Sequence, residues 1–153
     1  MSTRILMLSM LLLAGCASAP EAEQAQQQRE EDIATILNEP LDPSEYGEAK
    51  RCLAGHEYRD FAIIDDRRIV FKGPGNSLWL NELRARCPDL RRADTLAFRS
   101  HTMSERICEL DSFVASDWMD SLSRRSPGMR CTLGSFQPIS EPQLQALRDL
   151  SKR

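Results

Sequence analysis

The clearest hydrophobic pattern in the chain is YRDFAIIDDRRIVFKG, residues 58–73. Residues 61–64 are apolar and would alternate between the two faces of a strand. Residues 65–67, Asp-Asp-Arg, then supply a polar turn, and residues 69–71 are apolar again. Two short apolar runs that are separated by a polar turn predict a β-hairpin.

Further apolar runs predict more strands and some short helices. Strands are expected in DTLAFRS (94–100), RICELDSFVAS (106–116) and RCTLGSFQPI (130–139). Short helices are expected in LWLNELRARC (78–87), where a strand edge is the alternative, and in SDWMDSLSRR (116–125). About five strands with short helices predict a mainly β fold, built as a small antiparallel barrel or a curled sheet. The alternative is an α+β fold.

The end of the chain carries the signals of a helix. Ser140 followed three residues later by Gln143 is a capping box, and Ile139 can pack on Leu144 as a hydrophobic staple. Three leucines then fall on one side of the predicted helix: Leu144, Leu147 and Leu150. We therefore expect residues 141–153 to form a C-terminal amphipathic helix.

The start of the chain predicts export and a lipid anchor. After Arg4 comes the apolar run ILMLSMLLL, residues 5–13, which is typical of a signal peptide and too short for the ~20 residues of a membrane span. The following LAGC resembles the bacterial lipobox, which implies cleavage before Cys16 and acyl chains on its sulfur and amine. Ala17 then implies sorting to the periplasmic face of the outer membrane. The alternative is a secreted protein in which Cys16 is lost or unused.

Charge divides the rest of the chain into a tether and a domain. Residues 17–48 hold nine acidic residues and a single arginine, whereas residues 49–136 hold fifteen basic and twelve acidic residues. The acidic, low-complexity part cannot bury enough apolar surface to fold alone. The predicted organisation is a signal peptide (1–15), a lipidated cysteine with a flexible acidic tether (16–45), a β domain (46–140) and the terminal helix.

The four other cysteines predict two disulfides. Cys52, Cys87, Cys108 and Cys131 are even in number, and an exported protein meets an oxidising compartment. Three pairings are open; we prefer Cys87–Cys108 nested inside Cys52–Cys131. The competing interpretation is a metal site that includes a histidine. The chain has no C-x-x-C or H-x-x-x-H spacing, so we expect neither zinc nor any other cofactor.

The order of these residues resembles an uncharacterised family of small proteobacterial lipoproteins and secreted proteins, a domain of unknown function. The resemblance spans about residues 50–140, depends on the cysteine framework with CTLGSF, and implies no known activity. The matching residues are Cys52, Asp65, Leu80, Leu83, Cys87, Pro88, Leu90, Cys108, Asp111, Cys131, Leu133, Gly134 and Phe136.

The sequence does not favour an enzyme. It holds two histidines, His56 and His101, and lacks the G-x-S-x-G elbow of a serine hydrolase. The adjacent Asp65 and Asp66 fit the hairpin turn better than a carboxylate pair. A small hydrolase is therefore the least favoured of the alternative functions.

A binding role is the stronger alternative. Five arginines lie close in sequence and are candidates for an anionic ligand: Arg84, Arg86, Arg91, Arg92 and Arg99. These arginines would bind lipid headgroups, cell-wall carboxylates or an envelope protein. The alternative is a solvated face without a ligand. Nucleic acid is not expected as a partner. The leading hypothesis is a lipid-anchored structural or interaction module that contacts the membrane through Cys16.

Overall fold

A computed structural model describes residues 18–99, 105–117 and 129–152 of the chain. The chain divides into two units, Met1–Asn38 and Glu39–Arg153. In the first unit, helix α1 spans Ser18–Leu37. Its Ala-, Glu- and Gln-rich sequence favours a helix, and Pro20 is tolerated because it lies in the first turn. A helix therefore occupies most of the segment for which we predicted a flexible tether.

The helices among the described residues include none that is both long and apolar enough to cross a membrane. The predicted signal peptide and Cys16 lie outside the described residues.

The second unit holds nine short strands and two further helices within its described parts. The helices are α2 (Pro43–Tyr46) and α3 (Glu141–Ser151), and 3-10 turns form at Pro74–Asn76 and Pro88–Arg92. The strands, in chain order, are β1 (Cys52–Ala54), β2 (Asp60–Ile63), β3 (Arg68–Lys72), β4 (Leu78–Glu82), β5 (Thr95–Arg99), β6 (Arg106–Cys108), β7 (Ser112–Ser116), β8 (Arg130–Thr132) and β9 (Phe136–Pro138).

The strands form three antiparallel sheets. Their orders are β2-β3-β4-β9, β5-β7-β8 and β1-β6. The prediction of a mainly β fold is confirmed. Across the described ranges the sheets do not close into a barrel, which agrees with the curled-sheet form of the prediction.

The predicted hairpin is confirmed as β2 and β3. Phe61 pairs with Phe71, and Ile63 pairs with Ile69, on opposite sides of the turn. The carboxylate of Asp65 accepts a hydrogen bond from the Arg67 N–H at 2.8 Å. Such local bonding by aspartate is what makes this residue favourable in turns.

The helix predicted at residues 78–87 is wrong, because Leu78–Glu82 forms strand β4. It pairs with β3 on one side and β9 on the other. The first four residues of β4 are buried, so both faces of the strand are covered. A strand that is covered on both faces loses the apolar-polar alternation that distinguishes strands from short helices.

The run 106–116 contains two strands in different sheets rather than one. The chain reverses at Leu110, whose φ is 74°. The Asp111 carboxylate accepts the Cys108 N–H at 2.7 Å, and this hydrogen bond closes the turn. The run 130–139 likewise divides into β8 and β9. The helix predicted over 116–125 lies largely outside the described residues.

The division between β8 and β9 occurs at Gly134, against the buried side chain of Asn81. Asn81 Nδ2 donates to Gly134 O at 2.7 Å and to Ser135 O at 3.2 Å, while Asn81 Oδ1 accepts from Gly134 N–H at 3.0 Å. A Cβ atom on Gly134 would lie 2.1 Å from the Glu82 carbonyl oxygen. Only glycine fits at this corner between two sheets.

Aromatic side chains fill the centre of the core. Phe71 stacks edge-on against Tyr58 and Phe136, with ring centroids 5.6 and 5.7 Å apart. Phe98 lies 6.2 Å from Phe71 and 5.6 Å from Phe113. These contacts join residues of the four-stranded sheet to residues of the three-stranded sheet, so one core serves both.

Two disulfides are present, but the preferred pairing is wrong. Cys52 bonds to Cys108 and Cys87 bonds to Cys131. Cys52 and Cys108 face each other in the β1–β6 ladder, and this register decides the pairing. Cys87 precedes the second 3-10 turn and lies against β8, which contains Cys131.

The C-terminal helix is confirmed as α3. Ser140 caps it, and the Gln143 carboxamide accepts the Ser140 N–H at 2.9 Å, which completes the predicted capping box. Leu144 and Leu147 are buried. The Ile139 N–H donates to Leu78 O at 3.1 Å, so the helix starts directly beside β4.

Replacing Gly134 by alanine is expected to destabilise the protein, because the new methyl group collides with the Glu82 carbonyl oxygen. The expected loss in the free energy of unfolding is about 1–3 kcal/mol, as for other overpacked sites. Urea unfolding followed by circular dichroism measures it. The control is Ser135→Ala at the exposed neighbour, expected within about 0.5 kcal/mol of the parent. Equal midpoints for both variants would contradict the steric account of this corner.

Each disulfide is expected to stabilise the domain by about 4 kcal/mol on the chain-entropy model, since the bonded cysteines are 56 and 44 residues apart. Cys52→Ala/Cys108→Ala and Cys87→Ala/Cys131→Ala are the matching double variants, compared by urea unfolding. Mass spectrometry of an unreduced proteolytic digest should find Cys52 joined to Cys108. A fragment joining Cys87 to Cys108 would contradict the structure.

Candidate functional site

Asp66, in the turn of the β2–β3 hairpin, holds two of the predicted arginines. Its carboxylate accepts hydrogen bonds from Arg86 Nη1 at 2.9 and 3.1 Å and lies 3.4 Å from Arg91 Nη2. Its backbone carbonyl accepts the Cys87 N–H at 2.6 Å. The segment that follows β4 is thus fastened to the hairpin by main chain and side chain together.

Glu109 lies between two other arginines. Arg51 Nε donates to Glu109 Oε2 at 3.0 Å, whereas Arg84 Nη1 is 3.6 Å from Glu109 Oε1. The second distance exceeds a normal hydrogen-bond length, so Arg84 is held by charge attraction alone. Its side chain is 60% exposed.

Glu82, at the end of β4, lies between Arg67 and Arg68. Arg67 Nε is 3.2 Å from Glu82 Oε1, and Arg68 Nη2 donates to the same oxygen at 3.4 Å. Arg68 is 3% exposed and also donates from Nη1 to Asp65 Oδ2 at 3.0 Å. A buried guanidinium requires such partners, because an uncompensated buried charge is strongly destabilising.

An open cleft of about 370 Å³ lies at the Glu82 and Glu109 groups. Its lining includes both glutamates, one arginine from each group, and backbone of the Gly134 corner. The full lining is Arg67, Glu82, Leu83, Arg84, Glu109, Gly134, Ser135 and Gln137. We define these residues as the polar cleft.

The polar cleft has a lining that is balanced in charge, with Arg67 and Arg84 beside Glu82 and Glu109. Its two ion-pair groups contain four guanidinium groups and three carboxylates. The four arginines are Arg51, Arg67, Arg68 and Arg84, and the three acids are Asp65, Glu82 and Glu109. The one unmatched guanidinium belongs to the Glu109 group, in which Arg51 and Arg84 share a single carboxylate, so an anion would be attracted at Arg84.

The five predicted arginines lie in different surroundings. Arg84 lines the polar cleft, while Arg86 and Arg91 share Asp66. Arg92 ends the second 3-10 turn and Arg99 ends β5; both are exposed. In the described stretches of chain these last two make no ion pair.

His56 is exposed, and the acid that follows it is already engaged. Glu57 accepts hydrogen bonds from the Lys50 ammonium and, at 2.8 Å, from the Ala54 N–H. The Lys50 hydrogen bond, followed by that from Ala54, lowers the pKa of Glu57. Lys50 Nζ also lies 4.1 Å from the ring centroid of Trp79. The other histidine, His101, lies outside the described residues.

Cys52, Cys87, Cys108 and Cys131 are all bonded to one another, so none of them is a free thiolate ligand. Within residues 18–99, 105–117 and 129–152 there is no group of three or more His, Cys, Asp or Glu side chains placed to hold a metal ion.

The sequence reasoning missed Arg67, Glu82 and Glu109 as members of a site. A signal for one pair was available: with β4 assigned as a strand, Arg68 and Glu82 fall directly opposite each other. Opposite charges at such cross-strand positions stabilise a sheet. Glu109 gave no comparable signal, because it reaches Arg84 from a turn that is distant in sequence.

Comparison with known protein families identifies a match over the whole chain. The model described as "Family of unknown function (DUF6491)" matches residues 1–153. No curated protein and no solved structure matches the chain.

The lowered pKa of Glu57 predicts a pH-dependent contribution to stability. A carboxylate whose pKa is lower in the folded state stabilises the fold above its unfolded pKa, about 4.3 for glutamate, and loses this effect as the pH falls through the folded value. Glu57→Gln should therefore cost about 0.5–1 kcal/mol at pH 7, and the difference from the parent should shrink on acidification.

Urea unfolding at pH 7, 5 and 3 measures this difference. Glu48→Gln, at an exposed acid of the preceding segment, is the control. A difference between parent and Glu57→Gln that stays constant from pH 7 to pH 3 would contradict the assignment.

Proposed function

The chain belongs to the DUF6491 family, whose function is unknown; we propose, from its own residues, that it is a lipid-anchored lipoprotein of the proteobacterial outer membrane. It faces the periplasm and acts there as a structural or interaction module, without chemistry of its own. Cys16 carries the acyl chains, and the segment up to the β domain is its tether.

The observation that supports this proposal is the disulfide pairing of the other four cysteines. Cys52–Cys108 and Cys87–Cys131 use all four, so Cys16 has no cysteine left within the chain to pair with. Disulfides persist in oxidising compartments such as the bacterial periplasm. The only remaining cysteine is the one that follows LAG behind an apolar run of signal-peptide length. An exported chain with that cysteine at its mature amino terminus accounts for all five.

Acylation at Cys16 supplies enough binding energy for a stable anchor. Each buried methylene contributes about 0.8 kcal/mol, and a single acyl chain holds a protein only marginally. A lipidated amino-terminal cysteine carries three chains, two on the glyceryl group and one on the amine. Membrane attachment then needs no transmembrane helix.

One observation favours a more specific interaction role, the binding of an anionic envelope ligand. Arg84 lines the polar cleft, is 60% exposed, and shares the single carboxylate of Glu109 with Arg51, which leaves one guanidinium unmatched at a concave surface. Concave surfaces with a few convergent polar groups are where small ligands usually bind.

Replacing Cys16 by serine tests the anchor. The full chain, expressed in a proteobacterial host with an alkyne-labelled palmitate, should incorporate label and sediment with membranes, whereas Cys16→Ser should lose both properties. Ser18→Ala, which leaves the cysteine in place, is the matched control. Intact-mass analysis of the parent should show a mature amino terminus at Cys16 with its acyl chains. An uncut and unacylated amino terminus in the parent would overturn the proposal.

A further inference from the structure

We propose that the polar cleft binds the free carboxylate of a short peptide, with the Arg84 guanidinium as its principal contact. The inference names a ligand class for the interaction module proposed above, and in that sense it rests on the proposed function. All residues of the polar cleft belong to the second unit.

Arg84 has unused hydrogen-bonding capacity at the cleft. Its one charged neighbour is Glu109, at 3.6 Å, and it makes no side-chain hydrogen bond within the described parts of the chain. Glu109 meanwhile accepts a 3.0 Å hydrogen bond from Arg51. A planar guanidinium presents parallel N–H donors that match the two oxygens of a carboxylate. Arg84 can therefore accept a ligand carboxylate without breaking a hydrogen bond.

Arg67 contributes a second guanidinium on the cleft wall. Its Nε atom is buried and, despite lying 3.2 Å from Glu82 Oε1, has no hydrogen-bond partner among the described residues. Glu82 already accepts from Arg68. Arg68 also donates to Asp65, so the two arginines and two carboxylates on this side are balanced in charge. A carboxylate bound at Arg84 would neutralise the unmatched charge of the Glu109 group, where two arginines share one acid.

Amide chemistry at the cleft favours a peptide over a bare anion. Gln137 and Ser135 are exposed beside the arginines, and in the described residues the Gln137 carboxamide makes no hydrogen bond. A carboxamide offers both donors and an acceptor, which are the partners of a peptide N–H and C=O. The volume of about 370 Å³ is at the small end of ligand pockets, suited to a segment of a few residues.

The cleft has a rigid floor. Leu83 is buried, its N–H donates to Arg67 O at 2.8 Å, and the Arg84 N–H donates to Thr132 O at 3.1 Å. The Gly134 backbone is held by the buried Asn81 amide. The backbone that carries Arg67, Arg84 and Gly134 is thus fixed before a ligand arrives, which reduces the entropy lost on binding.

Isothermal titration calorimetry tests the proposal on the full chain carrying Cys16→Ser. The probes are N-acetyl-alanyl-alanine with a free carboxylate, its carboxamide, and inorganic phosphate. We expect saturable binding of the acid, weakened by added salt, and at least tenfold weaker binding of the carboxamide and of phosphate. Arg84→Gln should weaken binding of the acid about tenfold or more, the loss of one charge-assisted contact.

Two further variants separate the site from general charge effects. Arg92→Gln removes the same charge at an exposed arginine outside the polar cleft and should leave the affinity unchanged. Glu109→Gln removes the acid that competes for Arg84 and should tighten binding, a gain that damaged folding cannot produce. The proposal is overturned by equal binding of acid and carboxamide, by preferred binding of phosphate, by no saturable binding, or by an Arg84→Gln affinity equal to the parent's. It is also overturned if Glu109→Gln binds no more tightly.

These titrations use a chain that cannot be acylated at position 16. Their failure would remove the ligand class and leave the anchoring proposal standing. Failure of the acylation experiment would remove the anchor and leave a measured peptide affinity unaffected.

Discussion

The fold depends on one buried amide, that of Asn81. The Asn81 side chain is fully shielded from water. It hydrogen-bonds to the N–H and the carbonyl of Gly134 and to the carbonyl of Ser135, and so fixes the point at which the chain leaves one sheet for another. A buried carboxamide left without partners costs about 1–3 kcal/mol, so the corner is stable only when all these bonds form together. Glu82 and Leu83 follow Asn81 directly, and the position of the polar cleft is set by the same corner.

Around this corner the domain compensates for its small core with covalent links. A chain of about 100 residues buries only ~60–65% of its surface on folding, which leaves little margin. The aromatic centre around Phe71 joins two sheets, the Cys52–Cys108 bond holds the third, and Cys87–Cys131 ties the second 3-10 turn to β8. Much of the CTLGSF segment therefore serves the corner and the core: Cys131, Leu133, Gly134 and Phe136 are all buried.

The elements that could be predicted from the sequence are those whose pattern lies within one short segment of the chain. The hairpin (Asp60–Lys72) and the capped helix α3 are each encoded in one short continuous segment, and both were predicted. Strand β4 was not, because neighbours on both faces remove its alternation. The reversal at Leu110 carries no glycine or proline to mark it. Predicting the cysteine pairing and the polar cleft would require knowing how strands far apart in the chain pair with each other. Neither the hydrophobic pattern nor the residue spacing contains that information.

The two disulfides interleave along the chain: each closes a loop that contains one cysteine of the other. For a polypeptide that crosses a membrane amino terminus first, this order matters. Oxidation in order of emergence would join Cys52 to Cys87, because Cys108 arrives later. Attack of the Cys108 thiolate on Cys52 Sγ would then form Cys52–Cys108 and release the Cys87 thiolate, and a separate two-electron oxidation would join Cys87 to Cys131. The interleaved order therefore calls for an exchange step as well as oxidation whenever Cys52 and Cys87 are joined first.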